Sequence, residues 1–206
     1  ARAVDLYFGS SGQLAQQIER GAPVDVFASA DADHVARLAR VGLLVPGSER
    51  VYVRGRLVMY VPAGGAASIR RLEDLARPEV ERVAIAHPEH APYGVAAREA
   101  LAAAGLWEAL APRLVTGENA RQALEYARTG NVDAALVPYS LAAGAGGGRI
   151  LEVPEELYRP VDHVIAVVAG ARERAARDFV DYVLSEEGRA LLARHGFDSP
   201  AGEQRS

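Results

Sequence analysis

Along the chain, short apolar runs alternate with segments whose apolar residues recur every three or four positions. The first kind reads as strand and the second as amphipathic helix. Strands are expected at 3–8, 24–28, 51–53, 57–61, 83–86, 113–115, 134–137 and 163–168. Helices are expected at 13–20, 31–41, 94–104, 118–128, 171–184 and 185–195. In the helix at 31–41, Val35, Leu38 and Val41 are spaced to face a core. Arg54 and Gly55 read as a turn between two strands, and Gly105 as the stop after a helix. Pro62-Ala63-Gly64-Gly65 breaks the rhythm, the stretch 142–148 is nearly all alanine and glycine, and the end from Ser199 reads as loose. Such alternation is the pattern of an α/β protein, a mostly parallel sheet with helices on both faces.

Two strands, 57–61 and 163–168, sit at changes of rhythm, and the stretch between them is a self-contained α/β unit. If both are crossovers, the chain forms two lobes. Lobe one is discontinuous, residues 1–57 and 164–206, and lobe two is 58–163. The ligand then lies between them, at a two-strand hinge.

Three strand-to-helix junctions share one chemistry: Gly9-Ser10-Ser11-Gly12, Ala91-Pro92-Tyr93-Gly94 and Thr116-Gly117-Glu118-Asn119-Ala120. A helix start presents free N–H groups and a positive dipole end, which suits an anion. In doubly wound folds such junctions gather outside the carboxyl ends of the strands. The first loop holds no lysine or arginine, so an anion there is gripped by neutral donors. Taken alone, that loop reads equally as a tight turn capped by Ser10 or Ser11.

Composition narrows the partners. The chain has 206 residues, half of them hydrophobic, with net charge −4. That is enough for one large domain or two lobes, and disorder is not the default. With no basic stripe and no aromatic interleaving, nucleic acid is not an expected partner. Every basic residue is arginine, and there is no cysteine, which excludes disulfides, thiolate metal sites and a cysteine nucleophile. No run is long enough for a membrane span, and the chain opens on a strand-like segment rather than a signal peptide.

Enzyme motifs are missing: no G-x-S-x-G elbow, no P-loop, no dinucleotide fingerprint. Asp31, Asp33 and His34 read as a helix N-terminus. His87 and His90, in His-Pro-Glu-His, lie three apart and read as a surface loop, with a metal site the lesser reading, because Pro88 argues against one helical face. Trp107 reads as a core or surface aromatic.

The segment from Phe8 to Asp31, Phe-Gly-Ser-Ser-Gly-Gln-Leu-Ala-Gln-Gln-Ile-Glu-Arg-Gly-Ala-Pro-Val-Asp-Val-Phe-Ala-Ser-Ala-Asp, closely resembles the signature of the extracytoplasmic molybdate-binding proteins of ABC transporters. Gly-Arg-Leu-Val at 55–58, Pro-Glu-His-Ala-Pro-Tyr-Gly at 88–94, Gly-Leu-Trp at 105–107, Ser-Glu-Glu-Gly at 185–188 and Gly-Phe at 196–197 also fit, in order. The resemblance implies a type II periplasmic-binding-protein-like fold, two doubly wound lobes closing over a dehydrated tetrahedral oxyanion. It implies a periplasmic or extracytoplasmic monomer, with a membrane-embedded permease as partner and no cofactor. No protein side chain would ligate a metal, since the molybdate or tungstate is itself the ligand. By position, Ser11 gives hydroxyl and N–H with Ser10 beside it, Tyr93 a backbone N–H from lobe two, and Ala120 another.

Two departures stand out. One branch of the family carries a tyrosine hydroxyl just after the strand that here ends at Val137, where this chain has Pro138 and then Tyr139. Family members also carry a strand, a short Ala/Ser/Thr/Asn-rich loop and a helix ahead of the segment that opens this chain. That loop supplies donors facing Ser11, so the chain is expected to be truncated relative to its family and weakened in binding. The alternatives are the ligand domain of an oxyanion-sensing transcription regulator, a binder of another small anion such as sulfate, and an α/β enzyme.

Overall fold

A computed structural model describes residues 4–170 and 172–200. Two sheets organise them. The smaller has three strands in the order β1 (Val26–Ser29), β8 (Val161–Val167), β2 (Arg50–Gly55), all antiparallel. The larger has the order β5 (Leu114–Gly117), β4 (Val83–Ala86), β6 (Ala134–Pro138), β3 (Leu57–Pro62), β7 (Gly148–Glu152). Here β4 runs parallel to β5 and β6, whereas β3 runs antiparallel to β6 and β7.

The large sheet is covered on both faces, so its central strands carry continuous apolar runs. Every residue of β3, β4 and β6 is buried. Strand periodicity then sorts them: Leu57, Met59, Val61, Val83, Ile85 and Leu136 face one core, and Val58, Tyr60, Ala84, Ala135 and Val137 the other. Helix α3 (Pro92–Ala103) closes the first core with Ala96, Ala97, Ala100 and Leu101, and α5 (Ala120–Arg128) the second with Ala123, Leu124 and Ala127. Small alanines on the inner faces let these helices sit close to the sheet. The short helices α4 (Trp107–Leu110) and α6 (Tyr139–Ala142) complete this half, and Trp107 lies partly buried against the first core.

The small sheet is built the same way around β8. Val164 and Ala166 pack with Ala15 and Ile18 of α1 (Ser11–Glu19) and Val35 and Leu38 of α2 (Ala32–Arg40). Ile165 and Val167 pack with Ala176 and Val180 of α7 (Glu173–Leu184), followed by α8 (Glu186–Arg194).

The chain leaves the small sheet at Gly55, enters the large one at Leu57, and returns between Glu152 and Val161. These crossings are tied together. The Leu57 N–H donates to the Tyr158 hydroxyl at 3.0 Å, and Arg54 grips Asp162 through two bonds of 2.6 and 3.0 Å.

Several expectations need correction. Neither sheet is mostly parallel: the small one is antiparallel and the large one mixed, because a strand that crosses between sheets enters beside a strand running the other way. Arg54 and Gly55 are the end of β2 and not a turn; β2 and β3 belong to different sheets, so no hairpin joins them. Among the described residues no strand pairs with 4–8. That segment has no regular structure, and Val4, Leu6, Tyr7 and Phe8 are exposed, since an alternating pattern makes a strand only where a neighbour takes its backbone bonds. Val41 caps the C-terminus of α2 and is exposed, one turn beyond the buried stripe. Strand β8 begins at Val161, so Val161, Asp162 and His163 pair with β2 in the small sheet, not in lobe two. The expected helix start at Ala171 and the chain beyond Pro200 lie outside the described residues.

Candidate functional site

The three junctions picked out by their sequence meet at the seam between the two sheets. The Gly12 N–H, in the first turn of α1, donates to the carbonyl of His90, just before α3, at 3.2 Å. In the same turn, the Gln13 side-chain amide reaches the Glu118 carboxylate, just before α5, at 3.2 Å. Close approach requires glycine at two of these positions. A Cβ at Gly12 would stand 2.8 Å from the His90 carbonyl oxygen, and one at Gly94 would collide with the carbonyls of Ala86 and His87.

The two serines divide the work. Ser10 caps α1: its hydroxyl oxygen accepts from the Gln13 N–H at 3.3 Å, and its own N–H donates to the Gln13 side chain at 3.0 Å. This reciprocal arrangement is a capping box, with glutamine as its second member. The Ser11 hydroxyl oxygen accepts from the Ala30 N–H at 3.0 Å, which leaves its proton free to donate. Both serines are buried. Among the described residues, no bond is made by the N–H groups of Ser11, Tyr93 or Ala120, each in the first turn of its helix.

Tyr93 turns its side chain away from the seam. Its hydroxyl meets His163 Nε2 at 3.0 Å, inside a buried cluster with Tyr52 and Phe197 around the imidazole. Burial drives the His163 pKa down from 6.5 to about 4, against the opposing charges of Asp31 and Asp162, so the ring is neutral. Burial likewise raises the Tyr93 hydroxyl far above its ordinary value. The tyrosine therefore donates and the histidine accepts. A Cβ at Gly55 would collide with that hydroxyl, which explains glycine at the end of β2. With the ring committed to the hinge, Tyr93 offers only main chain to the seam.

The helix N-terminus expected at Asp31 and His34 lies behind Ser11, a placement the sequence did not show. Asp31 caps α2, accepting from the His34 N–H at 2.9 Å and from His34 Nδ1 at 2.7 Å. Burial pushes the Asp31 pKa up, but the bonds from His34 outweigh it and hold the carboxyl below its usual value. The cap was legible in Ala-Asp-Ala-Asp-His. Nothing local, however, signals that His34 Nε2 lies 3.1 Å from the position a Cβ on Gly12 would take. Tyr139 stacks beneath the Arg56 guanidinium at 4.4 Å and against Gly196, on the hinge side. Recesses at the hinge, lined by Gly55 and Tyr158, and beside Asp133 do not include any of the three helix starts.

The three helix starts, linked through the Gly12–His90 and Gln13–Glu118 contacts, carry unengaged N–H groups and the Ser11 hydroxyl, with the Glu118 carboxylate beside them. The arrangement suits a small anion. Residues 2–198 match the model of the family described as bacterial extracellular solute-binding protein. The chain belongs to that family. Within this solute-binding family, it is 38% identical over 194 residues to the molybdate-binding protein ModA of Rhodobacter capsulatus, covering 92% of this chain and 75% of that one. It is 34% identical over 200 residues to ModA of Mycobacterium bovis, covering 96% and 74%. Its fold superposes on the periplasmic molybdate-binding protein of Azotobacter vinelandii with a TM-score of 0.90 at 29% identity, covering 97% of this chain and 88% of that one. The α/β, periplasmic-binding-protein-like fold follows. Among the described residues no helix is long and apolar enough to cross a membrane.

Proposed function

We propose that this chain is the solute-binding component of an ABC importer, and that it captures molybdate or tungstate between the half built on the small sheet and the half built on the large sheet. The observation that carries the reading is the meeting of three helix starts with unengaged N–H groups at Ser11, Tyr93 and Ala120, beside a Ser11 proton left free by Ala30. Ser10 supports the loop chiefly as its cap.

A fully deprotonated dianion accepts hydrogen bonds at every oxygen, so a pocket of donors alone suits it. Such a pocket disfavours hydrogen phosphate, whose own hydroxyl would face a donor and find no acceptor. Sulfate is discriminated by size, because its bonds are shorter than those of molybdate and tungstate. An ion touching both lobes stabilises the closed form, and a membrane permease reads that form. The role requires neither catalysis nor a cofactor. It places the protein outside the cytoplasm, as a monomer that binds its ion and then docks.

A thermal-shift panel with molybdate, tungstate, sulfate and phosphate tests the reading. At a hundredfold excess over Kd, binding adds about 2.7 kcal/mol, a rise of roughly 5–11 °C for a chain of this size. Such a rise with molybdate and tungstate alone is expected. A comparable rise with sulfate or phosphate, or none with any ion, contradicts it.

A further inference from the structure

The turn ahead of α3 carries a second chemistry. His87, Glu89 and His90 each offer one ligand atom, and these atoms all lie within 4.8 Å of one another. Pro88 does prevent a helix here, yet the turn that replaces it gathers the side chains. The Ala91 N–H donates to the His87 carbonyl at 2.9 Å and the His90 N–H to the same oxygen at 3.3 Å. The two imidazoles then stack, with centroids 4.4 Å apart and planes 17° from parallel. The turn is held from both sides, by Gly94 pressed against the His87 carbonyl and by the Gly12 N–H on the His90 carbonyl.

We propose that the His87–Glu89–His90 turn is a binding site for a borderline divalent transition-metal cation, Zn²⁺ or Ni²⁺ by its chemistry, on the rim of the oxyanion crevice. Two imidazoles and one carboxylate are the donor set that zinc takes with an open fourth position, whereas magnesium and calcium prefer oxygen alone. Tetrahedral bonds of about 2.0–2.1 Å need ligand atoms about 3.4 Å apart. Side-chain rotation closes the remaining gap, because Glu89 and His90 are exposed and free to turn. Among the described residues the bond the metal competes with is weak, the Glu89 N–H to His87 Nδ1 at 3.3 Å. Because the same turn accepts the Gly12 N–H, a bound cation stiffens the contact between the two halves. The site uses side chains other than the Ser11, Tyr93 and Ala120 donors and does not depend on which anion they hold.

The test titrates tag-free protein with ZnCl₂ by calorimetry, and with Co²⁺ by visible absorption. One saturable Zn²⁺ site is expected, with Co²⁺ giving the intense bands of low coordination. His87→Ala and His90→Ala should each weaken Zn²⁺ by about tenfold or more, equivalent to 1.4 kcal/mol. His195→Ala should leave it unchanged. Unchanged melting temperatures without metal would show the variants folded. No saturable binding by the parent, equal affinity in the His87 and His90 variants, or loss in His195→Ala overturns the proposal.

Discussion

Removing the Ser11 hydroxyl perturbs binding and folding through one atom. In Ser11→Ala the oxyanion loses one hydrogen bond made to a charged acceptor, worth about 1.5–3 kcal/mol. That corresponds to a Kd raised roughly 10- to 150-fold. The same oxygen accepts from the Ala30 N–H at 3.0 Å, so the ligand-free protein also loses a partner for that donor. Leaving it unpaired costs about 1–3 kcal/mol, for a melting temperature lower by a few degrees. Ser10→Ala is the internal comparison. It breaks the cap of α1, costing about 0.5–2 kcal/mol of stability, while the donors at the seam survive. Calorimetric titration with molybdate and thermal melts of both variants give the two numbers for each. The expected pattern is a stability loss in both and a large affinity loss only in Ser11→Ala. An affinity for Ser11→Ala within about threefold of the parent, less than the smallest hydrogen-bond loss, refutes the reasoning. So does an equal affinity loss in Ser10→Ala.

His163 is held neutral at about 4 against 6.5 when free, so the unfolded chain binds the extra proton as the solution acidifies. Stability is then full above pH 6.5 and falls toward pH 4 by roughly 3 kcal/mol from this residue, and His163→Gln should flatten that slope in melts across the range. Gly55→Ala drives a methyl into the Tyr93 hydroxyl and should cost about 1–3 kcal/mol, part of it recovered in the double variant with Tyr93→Phe; additive losses in denaturant melts would show that the two groups do not meet. Removing the carboxylate beside the donors, Glu118→Gln, should strengthen molybdate binding modestly and weaken its dependence on salt, measured by titration at two ionic strengths.

The three helix starts were legible because they rest on local rules. Gly9-Ser10-Ser11-Gly12 before an amphipathic run marks a capped helix start, and the junctions at 91–94 and 116–120 follow from the same geometry, whereas Tyr93 and Ala120 as individual donors came from the family resemblance. Long-range partners were not legible. The alternation at 4–8 matches a strand, but pairing depends on a neighbour that the pattern cannot name. Arg54-Gly55 looks like a turn because two apolar runs flank it, whereas those runs enter different sheets. Strand β7 was missed because it opens on glycine and pairs with β3 at the sheet edge, where only partly buried side chains mark it. The role of Gly55 is clear only once Tyr93 arrives from another element to fill its missing side chain.

The central claim is that Ser11, Tyr93 and Ala120 surround one oxyanion. Crystals grown with tungstate, measured at the tungsten absorption edge, locate that ion without reference to any protein atom. The account predicts one strong anomalous peak at the seam, its oxygens about 2.7–3.2 Å from the Ser11 hydroxyl and the backbone nitrogens of Ser11, Tyr93 and Ala120. A peak elsewhere, or none at saturating tungstate, would contradict it.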